Sequence, residues 1–212
     1  MRIAVYSGSF DPLHIGHQAI MEYLTRERAF DWVYLVISPQ NPFKDPSKAA
    51  SGEQRYRAAI DAVRRHPELH VWVDNIELSM DPPHYTIRTL DALRKREPEN
   101  DFTLVIGADN LHNFLGWRDA TRILTEYGVA VYPRRGFDVE AIRRFMYEKM
   151  TILPSPYTLD SSSLHDTPGT VGLEESDRLY KIEIINAPVI DISSTRIREG
   201  LAMGEDMSEW MM

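Results

Sequence analysis

The amino-acid sequence predicts an α/β fold: a doubly wound, mainly parallel sheet with helices on both faces and a small C-terminal helical piece. Two observations lead to this prediction. Short apolar runs with the composition of buried strands alternate along the chain with segments whose apolar residues recur at helical spacing. The length of 212 residues, 43% of them hydrophobic, suits a single domain over residues 1–212.

The predicted elements follow one another with turn residues between them. The apolar runs that favour strands are Ile3–Val5, Trp32–Ser38, His70–Asp74, Phe102–Ile106, Gly128–Tyr132, Thr151–Leu153 and Leu179–Ile185. The segments predicted to be helical are Gln18–Ala29, Glu53–Arg65, Tyr85–Arg96, Asp138–Lys149 and a last helix after Ser193. The second helix carries an inward apolar stripe, so its arginines are expected on a solvated face: Arg55, Arg57, Arg64 and Arg65.

Composition limits the function classes. The net charge of −8, from 24 basic and 32 acidic residues, argues against broad nucleic-acid binding. An anionic ligand would therefore have to meet a local cluster of cationic groups, helped by a divalent cation. Zero cysteines exclude disulfides and thiolate metal sites. With neither a long apolar stretch nor a signal-peptide pattern, the chain is expected to be cytoplasmic and without a membrane partner.

The segment Tyr6–His17 lies between the first strand and the first helix and reads Tyr-Ser-Gly-Ser-Phe-Asp-Pro-Leu-His-Ile-Gly-His. Gly8 lets the backbone approach a ligand closely, and Pro12 limits the freedom of the loop. His14 is placed just before the helix and His17 in its first turn. Because they are three residues apart, the two side chains can face the same side.

Three interpretations of the histidine pair are open. It could be a turn with two surface histidines, or a His-x-x-His metal pair, although no neighbouring carboxylate or cysteine completes a ligand set. The third interpretation, which we favour, is a phosphate site, because free N–H groups of a helix N-terminus and two imidazole donors suit phosphate oxygens.

A second candidate site lies near the other end of the chain. Ser193, Ser194 and Thr195 precede the last helix, where N-capping is the ordinary use of hydroxyl side chains. The same hydroxyls, the free N–H groups and Arg198 one turn later also suit phosphate. Two such helix starts, from opposite ends of the chain, imply a shared cleft.

Further candidates follow the other predicted strands. Lys44, in a proline-rich loop, is either solvated or placed above the carboxyl end of the second strand, where ligands bind. Gly107 permits close approach of a ligand to the backbone. Asp109 could cap the next helix or accept hydrogen bonds from ribose hydroxyls. Trp117 belongs either to the core or to a stacking platform.

Together these segments resemble the nucleotidyltransferase superfamily and, within it, the nicotinate mononucleotide adenylyltransferases. The first motif matches at Gly8, Phe10, Asp11, Pro12, His14, Gly16 and His17. A second segment matches at Asp74, Glu77, Pro83, Tyr85, Thr86, Thr89 and Leu90, a third at Gly107, Asp109, Leu115 (or Phe114) and Trp117, and the last over 192–198. Phe43 and His84 depart from the pattern, where His and Ser are usual. The letters His-Ile-Gly-His also occur in class I aminoacyl-tRNA synthetases, but this chain lacks their Lys-Met-Ser-Lys-Ser segment and room for a tRNA-binding domain.

The resemblance implies a Rossmann-like fold and transfer of an adenylyl group from ATP to nicotinate mononucleotide, giving deamido-NAD and pyrophosphate in NAD biosynthesis. It implies Mg²⁺ held mainly through phosphates and water. It implies catalytic roles for His14, His17, Lys44 and Arg198. The implied ATP-binding residues are Gly8, Ser9, Phe10, His14, His17, Gly107, Asp109, Ile192, Ser193, Ser194, Thr195 and Arg198. The implied nicotinate mononucleotide-binding residues are Lys44, Tyr85, Thr86, Trp117 and Arg118.

Some alternatives stay open at this point. The acceptor could be nicotinamide mononucleotide or phosphopantetheine, or the chain could be a non-catalytic nucleotide-binding sensor, and a homo-oligomer is an option. The irregular insertion at 154–177 could be a lid, an oligomer contact or a disordered segment. In the region 187–212, predicted to carry the C-terminal phosphate-binding helix, the closing Pro-x-x-Val-x-x-Tyr-Ile helix of the family is absent, shortened or cut.

Overall fold

A parallel sheet forms the centre of the computed structural model, which describes residues 1–39, 50–111, 113–150 and 180–212. Within these residues the sheet has six strands, all parallel, in the order β3-β2-β1-β4-β5-β6. The strands are β1 Arg2–Gly8, β2 Trp32–Ile37, β3 Val71–Asp74, β4 Asp101–Gly107, β5 Val129–Tyr132 and β6 Ile182–Ile184. The predicted strand Thr151–Leu153 and the insertion at 154–177 lie outside the described residues.

The helices come between the strands, as the alternating pattern predicts. They are α1 Ile15–Arg26, α2 Gly52–Arg64, α3 Thr86–Arg96, α4 Ala108–Leu111, α5 Ala120–Arg122, α6 Val139–Met150 and α7 Ser194–Ala202. A π-helical turn, Ile123–Tyr127, continues α5, and 3₁₀ turns lie at Ile76–Ser79, Phe114–Gly116 and Ser208–Trp210. None of the helices described is long and apolar enough to cross a membrane.

The direction of winding reverses beside β1. The chain proceeds from β1 outward to β2 and β3, then returns to place β4 on the other side of β1 and continues to β5 and β6. Gly8 at the end of β1 lies opposite Ile37, and Gly107 at the end of β4 lies opposite Tyr132. A ligand crevice is expected between the carboxyl ends of β1 and β4, because strand order reverses there.

Alternation along the strands divides the core into two layers. Ile3 and Val5 of β1 join a cluster with α3, α4 and α5, whereas Ala4 and Tyr6 join a cluster with α1 and α2. Each of these four strand residues is less than 5% exposed. Both faces of the sheet are therefore covered, which explains why the strands read as continuous apolar runs.

Two predictions about helices α1 and α2 were wrong in detail. Helix α1 begins at Ile15, so His14 precedes it and His17 lies in its first turn as the motif predicts, but it ends at Arg26 rather than at Ala29, which takes a φ of +53° that is incompatible with a helix. On α2, Arg57 and Arg64 are exposed as predicted. Arg55 is not, because its guanidinium is buried and donates to three backbone carbonyls.

The end of the described chain packs against the first motif. After the 3₁₀ turn at Ser208–Trp210, Met211 forms an antiparallel bridge with His14. The Met212 side chain is buried in the same cluster as α1, and its carbonyl accepts a hydrogen bond from Arg65. The last described residues are thus tied to the start of α1 and to Arg65.

Candidate active site

The candidate site lies at the carboxyl ends of the strands, between β1, β4, β5 and the segment that leads to α7. A cavity of about 600 Å³ opens there, lined by Asp109, Arg134, Arg135, Phe137, Val189, Ile190, Asp191, Ile192, Ser193 and Arg196. A narrower space beside it is lined by His14 and His17 and shares Arg134 and Ile192 with the larger cavity. The predicted shared cleft therefore brings both ends of the chain together.

His14 and His17 form a stacked pair at the start of α1. His14 is the N-cap residue and is 5% exposed, with an extended backbone. Its ring centroid lies 3.7 Å from that of His17, at an interplanar angle of 24°. The edge of the His17 ring also meets Phe10, with centroids 5.1 Å apart. The prediction that the two histidines face the same side is confirmed.

Both imidazoles are neutral near pH 7. Burial and the nearby positive charge of Arg134 lower the pKa of His14 to about 4. Burial, then the proximity of His14 and Arg134, lowers the pKa of His17 as well. The backbone N–H of His14 donates to Nδ1 of His17 at 3.3 Å, so His17 carries its proton on Nε2. His17 is therefore a neutral hydrogen-bond donor rather than a cation or a base.

Arg134 supplies the cation that faces the histidine pair. It follows β5, and its guanidinium carbon lies 5.2 Å from the centre of the Tyr132 ring, with Nη2 3.3 Å from the Tyr132 hydroxyl. Its Nε lies 3.5 Å from Oδ1 of Asp109. Arg134 was not among the predicted site residues, although an arginine directly after a buried strand satisfies the argument that singled out Lys44.

Asp109 lies across the end of β4, above Gly107. A Cβ atom at position 107 would collide with Oδ1 of Asp109 and lie 3.1 Å from the Tyr132 hydroxyl, so only glycine leaves room for this arrangement. Oδ1 of Asp109 is buried and accepts no hydrogen bond from the described residues. Asp109 is the second residue of α4, and within the described residues no backbone N–H donates to its Oδ1, so this atom caps no helix there.

The C-terminal motif, residues 192–198, forms hydrogen bonds with the loop after β1. Ser193 caps α7 by accepting from the Arg196 N–H at 3.2 Å, as the capping alternative proposed. Ser194 Oγ donates to the carbonyl of Pro12 at 3.0 Å, and Nη1 of Arg198 donates to the carbonyl of Asp11. Arg198 also reaches Thr195 Oγ1 at 3.2 Å. These contacts join the two candidate phosphate-binding helix starts directly.

A second group of predicted residues lies after β3 and β4. Tyr85 is the N-cap of α3 and is 42% exposed, and the guanidinium carbon of Arg118 stands 5.7 Å from the centre of its ring. Thr86, the first residue of α3, is half-buried. Trp117 is half-buried and packs on Phe114 with centroids 5.1 Å apart, so part of its ring belongs to the core. Lys44 lies outside the described residues.

Other residues of the second motif build the scaffold instead. Glu77 is buried and accepts from Ser7 Oγ at 3.0 Å and from Thr89 Oγ1 at 2.9 Å. Asp74 is buried and accepts from Nη2 of Arg96 at 2.6 Å. Each carboxylate links the end of a strand to α3. These structural contacts account for the spacing of the second motif, and no ligand contact is needed to explain it.

The described residues contain no group of three or more histidine, aspartate or glutamate side chains that could hold a metal ion. Two carboxylates of the described residues line the larger cavity, and each already faces an arginine: Asp109 lies beside Arg134, and Asp191 pairs with Arg135 at 2.5 Å. A divalent cation with oxygen ligands therefore fits this cleft only if phosphate oxygens and water supply most of its coordination.

Comparison with known proteins identifies the family to which this chain belongs. The cytidylyltransferase-like family model matches residues 5–200. The chain belongs to that family. It is 33% identical over 206 residues to a probable nicotinate-nucleotide adenylyltransferase of Bacteroides fragilis, covering 97% of this chain and 85% of the relative. It is also 33% identical to the Porphyromonas gingivalis protein of the same name, covering 100% of this chain and 89% of that one.

Two solved structures share the fold of this chain. A Plasmodium falciparum nicotinic acid mononucleotide adenylyltransferase complexed with NaAD has a TM-score of 0.68 at 17% identity, covering 98% of this chain and 87% of that one. A putative nicotinate-nucleotide adenylyltransferase from Vibrio parahaemolyticus has a TM-score of 0.57 at 18% identity, covering 100% and 86%. The predicted Rossmann-like fold and the predicted family resemblance are both confirmed.

Proposed function

We propose that this chain transfers the adenylyl group of ATP to nicotinate mononucleotide, giving deamido-NAD and pyrophosphate in NAD biosynthesis. The observation that carries the proposal is the stacked, neutral pair of His14 and His17 at a helix N-terminus, with Arg134 facing it. Neutral donors and one cation suit a phosphate chain, and the names of the relatives indicate which nucleotides are joined.

The chemistry needs positioning more than a base. A phosphate oxygen of the mononucleotide attacks the α-phosphorus of ATP in line, forming a new P–O bond while the bond to the leaving pyrophosphate breaks. The attacking phosphate is already nucleophilic, so no covalent enzyme intermediate is required. Catalysis then depends on holding the two phosphates in line and on stabilising the charge that gathers on the leaving group.

The histidines and arginines divide this work. His17 donates from Nε2 to a phosphate oxygen of ATP, and His14 supports it by stacking and by fixing its tautomer. Arg134 balances negative charge beside them. In our proposal Ser193, Ser194, Thr195 and Arg198 hold the departing β- and γ-phosphates. Lys44 contacts the phosphate where the two substrates meet.

The nucleoside of ATP lies toward β4 in this proposal. Oδ1 of Asp109 is buried and makes no hydrogen bond with the described residues, although the Arg134 Nε lies 3.5 Å away, so it can accept from a ribose hydroxyl. The absence of a side chain at Gly107 leaves the backbone open to the nucleotide. In our proposal the backbone from Gly8 to Phe10 also contacts ATP, and Ile192 lines both the larger cavity and the narrower space beside the histidines.

The acceptor lies toward α3. We assign Tyr85, Thr86, Trp117 and Arg118 to the nicotinate mononucleotide, because they gather after β3 and β4 and combine stacking surfaces with donors. The exposed Tyr85 ring and the partly exposed Trp117 ring offer apolar faces to a pyridine ring. Arg118 adds a positive charge that suits a carboxylate.

Mg²⁺ completes the proposed set of ligands; it would be held mainly through phosphates and water and would neutralise part of the phosphate charge. The other expectations, a cytoplasmic location, no nucleic-acid partner and the option of a homo-oligomer, stay predictions.

The test is release of pyrophosphate from ATP and Mg²⁺ with each acceptor offered separately: nicotinate mononucleotide, nicotinamide mononucleotide and phosphopantetheine. We expect the fastest release with nicotinate mononucleotide, together with formation of deamido-NAD. Faster release with another acceptor would reassign the substrate. Binding of ATP without release for any acceptor would favour a nucleotide-binding sensor.

A further inference from the structure

Arg55 is a buried arginine with an unusual set of partners. It is 3% exposed, and in the described part of the chain its hydrogen bonds go to backbone carbonyls rather than to a carboxylate. Nε donates to Ala50 at 3.1 Å, Nη1 to Ser9 at 2.6 Å and Nη2 to Ser38 at 2.8 Å. A guanidinium is seldom buried in this way without a specific task, since its desolvation is costly.

The three carbonyls belong to three different segments of the site. Ser9 lies in the loop after β1, Ser38 follows β2, and Ala50 precedes the N-cap of α2. The planar guanidinium, with its fixed fork of donors, spans all three at once. Arg55 therefore holds the loop after β1 against the carboxyl end of β2.

The contact with Ser9 also fixes the orientation of the next amide. The peptide unit is planar and trans, so the Phe10 N–H points opposite to the Ser9 carbonyl and away from Arg55. Phe10 itself has a φ of +45°, which is rare for a bulky residue and persists only where the surroundings hold it. Among the described residues the Phe10 N–H has no acceptor, as expected of a donor kept for a ligand.

The rest of the loop is held in a similar manner. The carbonyls of Asp11 and Pro12 are bound by Arg198 and Ser194, as described above. The Phe10 ring lies over Gly8, where a Cβ would come within 3.1 Å of it, and its edge meets His17. Arg55 is thus linked to the histidine pair through Ser9 and Phe10.

We propose that Arg55 is a positioning residue for adenylyl transfer: by binding the Ser9 carbonyl from the buried side, it presents the Phe10 amide to the phosphates and sets Phe10 against His17. This inference rests on the proposed function. It concerns a residue on α2 that contacts neither histidine, so its effect is transmitted through the backbone of the loop.

The test compares Arg55→Lys and Arg55→Ala with the control Arg57→Ala, since Arg57 lies on the same helix with a side chain 75% exposed. We expect kcat to fall about tenfold for Arg55→Lys and about 100-fold for Arg55→Ala, with smaller changes in KM, because a misplaced donor loses transition-state contacts. Arg57→Ala should match the wild type. Added guanidinium ion should restore part of the kcat of Arg55→Ala, whereas sodium chloride of equal ionic strength should not.

Two further measurements separate positioning from mere stability. The folded fraction of each variant is determined by circular dichroism at the assay temperature, and the Phe10 amide resonance is followed by NMR as Mg-pyrophosphate is added. We expect this resonance to shift on titration in the wild type and to shift less in Arg55→Lys. Wild-type kinetics in Arg55→Lys, or a loss of activity that only follows the unfolded fraction, would overturn the proposal.

The experiment distinguishes the two proposals. If the wild type releases no pyrophosphate with any acceptor, the proposed function fails. The Arg55 proposal is then decided by the Phe10 shift and by pyrophosphate affinity alone, which should fall in Arg55→Lys and not in Arg57→Ala.

Discussion

Acid should destabilise this protein through its histidine pair. In the folded state the pKa of His14 is lowered from 6.5 to about 4, and that of His17 is lowered as well. The unfolded chain takes up protons as the pH falls through 6.5, whereas folded His14 does so only near 4. The unfolded state therefore binds more protons in this window, and the free energy of unfolding decreases as the pH falls through it.

The magnitude follows from the displacement of the pKa. For His14 alone, stability should fall by about 2 kcal/mol between about pH 7.5 and about pH 5, and by about 3 kcal/mol below pH 4, at 1.36 kcal/mol for each tenfold change in proton affinity. His17 adds to this loss. Carboxylates with lowered pKa values, such as Glu97 and Glu126, lose their stabilising contribution at still lower pH. The range above about pH 5 therefore isolates the histidines.

The assay is urea unfolding of the wild type, His14→Gln and the exposed-site control His70→Gln at both pH values. We expect His14→Gln to lose about 2 kcal/mol less than the wild type between them, because it removes the titrating group. His70→Gln should lose as much as the wild type. An equal loss in the wild type and His14→Gln would refute the reasoning, as would an NMR titration that places the His14 pKa near 6.5.

Three predictions concern catalysis. His17→Ala should lower kcat by about 100-fold in a folded protein, the scale of losing one preorganised donor to developing charge. Arg198→Lys should impair turnover, because lysine cannot reproduce the two-pronged contact with Asp11 and Thr195 seen here, nor one with phosphate. Nicotinate mononucleotide should be preferred over nicotinamide mononucleotide by at least about tenfold in kcat/KM, since the amide would bring donors against donors. Thr86→Ala should reduce that preference, whereas Trp117→Ala should weaken both acceptors.

Steady-state kinetics with circular dichroism as the folding control checks each of these. Near wild-type turnover in folded His17→Ala would remove its phosphate role. Full activity of Arg198→Lys would make Arg198 an ordinary residue of α7. Equal kcat/KM for the two mononucleotides in the wild type would indicate a dual-specificity adenylyltransferase.

The sequence predicted the sheet well because each strand has a local signature. Runs such as Ile3–Val5 and Phe102–Ile106 are apolar on both faces, and both faces are indeed covered. The boundary of α1 was predicted less well. Nothing in the local composition marks Ala29 as a residue with positive φ, which it adopts where the Phe30 N–H donates to the Leu24 carbonyl at the end of the helix.

The location of candidate site residues could be predicted at the start of a helix, where a local sequence motif marks them. It was harder to predict for residues whose hydrogen-bond partners are distant in sequence. The spacing of His14 and His17, and of the residues in 193–198, identifies them as candidate site residues. Arg55 looked solvated because two of its three acceptors, the carbonyls of Ser9 and Ser38, lie 46 and 17 residues away in sequence. Arg134 was not singled out, although it follows a buried strand. The roles assigned to the predicted site residues, including Lys44, stay predictions.

The bracing of the loop after β1 has a consequence for the order in which the molecule is made. Arg198 and Ser194 reach Asp11 and Pro12 across 187 and 182 positions of sequence. A nascent chain synthesised as far as β4 would already contain His14 and His17, but Ser194 and Arg198, which bind the loop, would not yet have been synthesised. Such long-range closure comes late in folding. A nucleotide that binds only when the loop is held in place would therefore stabilise completed chains and not nascent ones, because ligand binding favours the state that binds.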